Sequence, residues 1–272
     1  MKSLLSILSL SAGLLILPIS SIAQEDTGNS GSGSDEVVPQ WQKDFEVLGS
    51  AKQKAYREHL REAGRLFNQK RIIEALNELG DAQSVFPNEP SALNLVGACH
   101  VEFRSFAKAR DAFEQALKLQ GDHLEGVEIL SGEARARRIK PVLNILFNLV
   151  EMDFVTQQWA DCAARIESLL PDMEPSELTM IRLLEFKYLL CKLKLGAIEE
   201  ARTLAKKYDD LDDYPYYYYA QAALAYHDDD ETEAERWRGT AKRVFRRPST
   251  LAAWEDTMIE IGFVKSFYGG AP

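Results

Sequence analysis

The sequence predicts an all-α protein, a stack of antiparallel helix pairs closed by a C-terminal capping helix. Two stretches echo each other at a spacing of 34 residues: Ala63, Ala75, Ala82 and Pro87 recur as Gly97, Ala109, Ala116 and Gly121. Leu66, Ile72 and Leu79 recur likewise as His100, Phe106 and Phe113. Self-similarity at this period marks helical hairpins that cannot bury their apolar faces alone. Residues 249–267 then carry Leu251, Trp254, Met258, Ile261 and Phe263 at helical spacing, the amphipathic pattern of a lid over the last open face.

The first forty residues stand apart from this pattern. Lys2 is the only charge before Glu25, residues 4–17 are almost continuously apolar, and Ser21-Ile22-Ala23 places small residues before Gln24. This reads as an export signal (1–23) cleaved after Ala23, giving a secreted or periplasmic protein; an uncleaved N-terminal membrane anchor is the alternative. Beyond that segment no integral membrane domain is expected. Residues 24–40 are rich in Gly and Ser and have almost nothing to pack, as in a disordered tether. The solenoid then occupies 41–272.

The first repeat is 56–89, with helices over 56–69 and 71–86 closed by Pro87-Asn88. The second is 90–123, opened by Pro90 and Ser91, with a second helix over 106–119 that Gly121 ends. The third, 143–176, is anchored by Asn148-Leu149-Val150 and by Trp159, Cys162, Ile166 and Pro171. The fourth, 182–214, turns at Gly196, and the fifth, 215–248, has Ala222, Ala234 and Ala241 at its small positions before Pro248. Residues 122–142 fit either an extra helix or half of a degenerate repeat; Asp122 with Glu125 forms a capping box and Pro141 suits a helix start.

With Leu93, Gly97, Phe106, Ala109, Phe113 and Ala116 in one unit, and Ala63, Leu66, Ala75, Leu79, Ala82 and Pro87 in the other, the chain resembles the tetratricopeptide repeat (TPR) family. Small residues sit where two helices approach at roughly 8–10 Å, and large ones fill the sides. Glu62 for an apolar residue, Cys162 for alanine and the missing closing prolines depart from the family pattern. The resemblance implies a right-handed superhelical solenoid whose first helices line a concave groove for another polypeptide. By that alignment the groove positions are Arg57, Leu60, Gly64, Phe67 and Asn68 in the first repeat. They are Ser91, Asn94, Ala98, Val101 and Glu102 in the second, and Tyr216, Tyr219, Ala223, Tyr226 and His227 in the fifth. The family's clamp for a C-terminal carboxylate is not carried over, because Leu60 and Gly64 replace the polar residues it needs.

Chemistry is sparse along the chain. His59, His100, His123 and His227 form no zinc signature, and no phosphate-binding glycine loop or nucleophile motif is present. No catalytic residue, metal or cofactor is expected. The acidic runs 209–213 and 227–231 lack calcium-loop spacing and fall where turns are expected, so they read as solvated turns. The basic residues Arg236, Arg238, Lys242, Arg243, Arg246 and Arg247 follow directly and balance them, an anion or headgroup patch being the alternative. Acidic residues outnumber basic ones 42 to 32, a net charge of −10, or −11 once residues 1–23 are removed, which argues against nucleic-acid binding. Cys99, Cys162 and Cys191 read as small buried hydrophobes, with Cys162–Cys191 the one pairing the repeat order allows.

Residues 214–219, Tyr-Pro-Tyr-Tyr-Tyr-Tyr, form the most unusual run. Four tyrosines in a row point around a helix, so they cannot all enter one core. Tyr216, Tyr219 and Tyr226 either grip a peptide or pack under the closing helix. The expected function is an exported, non-enzymatic scaffold for protein–protein interaction. The alternative is an envelope-polymer or small-ligand module built on 214–219.

Overall fold

The computed structural model describes residues 38–124, 127, 130 and 132–265, and every regular element among them is helical. The expected leader (1–23), the tether up to residue 37, Glu125 of the expected capping box and residues 266–267 of the expected lid lie outside the described residues. No helix among the described residues is long and apolar enough to cross a membrane.

The chain divides into two compact units at Leu149/Val150. The N-terminal unit holds α1 (Gln40–Glu46), α2 (Ser50–Asn68), α3 (Ile72–Val85), α4 (Pro90–Glu102), α5 (Phe106–Lys118), α6 (Gly121–Leu124) and α7 (Gly132–Ile139). Next comes α8 (Leu143–Val155), which runs across the division. The C-terminal unit holds α9 (Trp159–Leu169), α10 (Leu178–Lys194), α11 (Ile198–Leu204), α12 (Tyr216–His227), α13 (Glu231–Val244) and α14 (Pro248–Glu260). Helices pack on their sequence neighbours: α2 on α3, α4 on α5, α10 on α9 and α11, and α12 on α13.

One turn recurs through both units. Lys70, Arg104, Gln157, Gly196 and Asp229 each take a left-handed backbone, with φ of 59°, 53°, 61°, 78° and 60°. In each case that residue's N–H bonds the carbonyl three residues back, as Lys70 does to Phe67 at 2.8 Å. The following N–H reaches five residues back, as Arg71 does to Leu66, Ser105 to His100, Gln158 to Asp153, Ala197 to Lys192 and Asp230 to Ala225, at 2.8–2.9 Å. This pair of bonds satisfies carbonyls that a helix end leaves open. The same connecting residue then accepts the first bond of the next helix, from Ala75, Ala109, Cys162, Ala201 or Ala234. All five of those donors are 0% exposed, so the helix entry and the close-packed small side chain are fixed together.

The small positions are sterically required where the structure tests them. A Cβ on Gly97 would lie 2.4 Å from the ring of Phe113, itself fully buried. The N-terminal core runs from Tyr56, Leu60 and Ala63 through Leu79 and Phe86 to Leu95 and Cys99, with Trp41 and Phe45 of α1 packed against it. Glu89 caps α4, accepting from the Ala92 N–H at 2.8 Å and from the Tyr56 hydroxyl at 2.9 Å, and so joins the two hairpins.

Several local expectations are corrected. The first long helix begins at Ser50, not at residue 56, because Gln53 anchors it by bonding the Phe45 and Leu48 carbonyls at 3.0 Å. Gly121 opens the short α6 instead of ending α5, which closes at Lys118. The second helix of the fourth repeat runs only from Ile198 to Leu204, and the closing helix ends at Glu260, where Gly262 turns left-handed with φ of 86°.

Candidate functional site

The tyrosine run opens α12, where Pro215 precedes the first helical residue. Tyr216, Tyr218 and Tyr219 are buried, leaving only Tyr217 of the four partly open. The four are thus not all interior, and as many as three are buried because α12 is covered on more than one side. Tyr216 packs edge-on to Phe186 of α10 and Tyr208, and its hydroxyl donates to the Leu204 carbonyl at 3.0 Å. Tyr219 packs against Phe186 and against Trp254 of α14, and its hydroxyl donates to Glu255 at 2.6 Å. Tyr218 and Tyr217 meet Trp237 of α13 on the other side. Burial drives the phenols of Tyr216 and Tyr219 far above the usual range, with Glu185 and Glu255 adding to the effect. Both rings are 0% exposed and present no surface to a ligand.

Tyr226 is half-buried. Its ring stacks on Phe263 at 5.5 Å and its hydroxyl bonds Glu235 and Arg238, with burial raising its pKa to about 12. Arg238, expected to balance the acidic turns, is instead buried, where it pairs with Glu235 and Glu255. Arg243, Arg246 and Arg247 are exposed. α14 is thus fastened by Tyr219, Arg238 and Lys242 to one carboxylate, Glu255.

A second buried ionic centre lies in the same unit. Lys187 of α10 reaches Glu151 at 3.0 Å and Glu260 of α14 at 3.6 Å, with its ammonium 4.0 Å from the Phe154 ring centroid. Lys187 and Glu151 are each 1% exposed. Burial raises the Glu151 carboxyl to about 7 in spite of Lys187. Beside them the Cys162 thiol contacts Cys191 and donates to the Val150 carbonyl at 3.7 Å; Cys191 and burial both push it far up. The pairing that the repeat order allows is therefore also spatially adjacent.

The acidic turns have structural partners. Asp228 pairs with Arg202 at 2.8 Å, Asp230 caps α13 through the Glu233 N–H at 2.9 Å, and Asp212 pairs with Arg182 at 3.0 Å. Arg182 lies over Tyr208 at 3.7 Å and bonds its hydroxyl, while Lys207 and Tyr208 both reach buried Glu185.

The remaining groove candidates fall in the N-terminal unit, apart from His227, which is half-buried at the end of α12. Arg57 is exposed on α2 with its guanidinium 5.5 Å from the Phe45 ring centroid, and Asn68 is exposed at the helix end. Glu102 pairs with Lys70 at 2.9 Å. Asn94 of α4, half-buried, accepts from Asn148 of α8 at 2.9 Å across 54 residues of sequence. The buried side-chain oxygens of Asn148 and Asn144 have no partner. Among the first-helix positions, then, α2, α4 and α8 carry amides with unused hydrogen-bonding capacity, while α12 carries aromatic core. Asn148 was read from sequence only as an anchor of the third repeat and Asn144 was not singled out, since both lie beyond the clear 34-residue echo.

Comparison with protein-family models, with curated proteins and with solved structures finds no match to this chain.

Proposed function

We propose that the protein is an exported, non-enzymatic TPR-like scaffold that holds an extended segment of another polypeptide along its first helices. The observation that carries this reading is the pair of accessible amides on α2 and α4. Asn68 is exposed and Asn94 half-buried, and buried Asn148 of α8 donates to the Asn94 oxygen at 2.9 Å and so orients that carboxamide. An extended peptide presents alternating N–H and C=O groups, and a carboxamide can both donate to and accept from them. Arg57, exposed on α2, adds a cation suited to an acidic residue of the ligand. The tyrosines belong to the lid and not to the ligand in this reading.

A displayed library of unstructured peptides, panned against the purified protein, tests it. Enriched peptides should bind saturably by fluorescence anisotropy, and Asn94→Ala should weaken them by roughly three- to tenfold, the worth of one neutral hydrogen bond. Failure to enrich any sequence, or binding indifferent to both Asn94→Ala and Arg57→Ala, would refute it.

A further inference from the structure

The acidic turns that sequence singled out are occupied by arginines and helix caps, but a different group of ligating atoms forms across the first hairpin. His59 projects from α2 and Glu78 and Asp81 from α3, and one donor atom from each lies within 4.8 Å of the other two. Glu78 and Asp81 are three residues apart on a helix and so share a face. His59 Nδ1 already contacts Glu78 Oε2 at 2.7 Å, both side chains being about one-third exposed. Asp81 is exposed and has no ion pair among the described residues.

We propose that His59, Glu78 and Asp81 bind one divalent cation of the zinc class, bridging α2 to α3 and leaving a fourth position to water. The donor set decides the class. An imidazole nitrogen with two carboxylates suits zinc and its transition-metal neighbours, whereas calcium and magnesium favour oxygen throughout. A neutral imidazole and two carboxylates also carry a charge of −2, matching a divalent ion. Size agrees: tetrahedral bonds of about 2.0–2.1 Å place ligand atoms about 3.3 Å apart. The observed separations, from 2.7 Å up to at most 4.8 Å, bracket that value. Binding needs the His59–Glu78 contact to open slightly and exposed Asp81 to swing inward, both rotamer adjustments at the surface. The ligands are 19 and 22 residues apart in sequence, which is why no local motif announces them.

Calorimetric titration of the metal-freed protein with zinc chloride decides the matter, alongside thermal melts with and without zinc. The expected result is one saturable equivalent and a melting temperature that rises with zinc. His59→Ala and Asp81→Asn should each weaken binding by at least about tenfold, the loss typical of disturbing even an outer-shell partner. Both should also abolish the zinc-dependent melt shift. His227→Ala, on the other unit, should leave zinc binding unchanged. Asp81→Asn alters an exposed side chain, so it reports binding even if His59→Ala perturbs the hairpin. Absence of saturable zinc binding would overturn the proposal. So would binding that survives both ligand substitutions, or equal affinity for calcium, which would mark a merely acidic surface.

Discussion

Two glycine-to-alanine substitutions in neighbouring hairpins should shift stability in opposite directions. Gly80 lies within α3, exposed, and a Cβ there would meet no atom within 4 Å. Alanine relieves the conformational cost of a mid-helix glycine, so Gly80→Ala should stabilise the N-terminal unit by about 0.5–1 kcal/mol. Gly97 lies within α4, and its Cβ would stand 2.4, 2.7 and 2.8 Å from three ring carbons of Phe113. Carbon atoms settle about 3.5–4.0 Å apart, so either the ring or the helix must retreat by about 1 Å. Phe113 is fully buried and has nowhere to go. Overpacking of this kind costs about 1–3 kcal/mol, which outweighs the helix-propensity gain. Urea titration followed by circular dichroism would read both. Phe113→Leu in the Gly97→Ala background should recover part of the loss, since it removes the opposing ring edge. If Gly97→Ala and Gly80→Ala stabilise alike, the close approach of α4 and α5 is not as described.

The repeated left-handed turn makes Gln157→Gly stabilising by about 1 kcal/mol, because an L-residue there is strained and Gly196 already fills the equivalent position; thermal melts check it. Around Glu255, burial favours the protonated form, but hydrogen bonds from Arg238 and Tyr219, with the charges of Arg238 and Lys242, outweigh it and hold the carboxyl below its usual range. Its contribution is therefore full above the unfolded carboxylate pKa and is lost as pH falls through the lower folded value. Melting temperatures of the parent and Glu255→Gln should differ at pH 7 and converge towards pH 3; a constant gap would count against the assignment. Burial lifts the Cys99 thiol to about 12 and places all three cysteines out of solvent. A thiol reagent should then find none in the native protein. Denaturation should release three, or one if Cys162 and Cys191 have been joined.

The close-packed positions were legible because sterics writes them directly into the sequence: Gly97 and Ala109 had to be small, and Phe113 large, for two helices to meet. The turns between the paired helices were not, since Lys70, Arg104, Gln157 and Asp229 adopt the conformation glycine prefers without being glycine. Their left-handed state is imposed by the paired carbonyl bonds and the two helices on either side, information that no single residue carries. The tyrosine run was visible but its role was divided between gripping and packing. Trp254 held the answer in sequence, yet only its 5.7 Å approach to Tyr219 shows which face of α12 it covers. Lys187 reads as a surface residue by type, and its burial follows from Glu151 and Glu260 arriving from two other helices. His59, Glu78 and Asp81 share the same difficulty, since their meeting depends on how α2 lies against α3.

The division of labour between polar first helices and an aromatic lid is tested most directly by one comparison of paired readings, peptide binding and melting temperature, in two variants. For Asn94→Ala the account predicts weakened binding of a library-selected peptide, together with a loss of about 1–3 kcal/mol of stability from leaving the buried Asn148 amide without its acceptor. For Tyr219→Phe it predicts unchanged binding and a loss of roughly 1.5–3 kcal/mol of stability, the worth of a hydrogen bond to a charged group. Binding lost in Tyr219→Phe and kept in Asn94→Ala would contradict it and return the ligand to the tyrosines of α12.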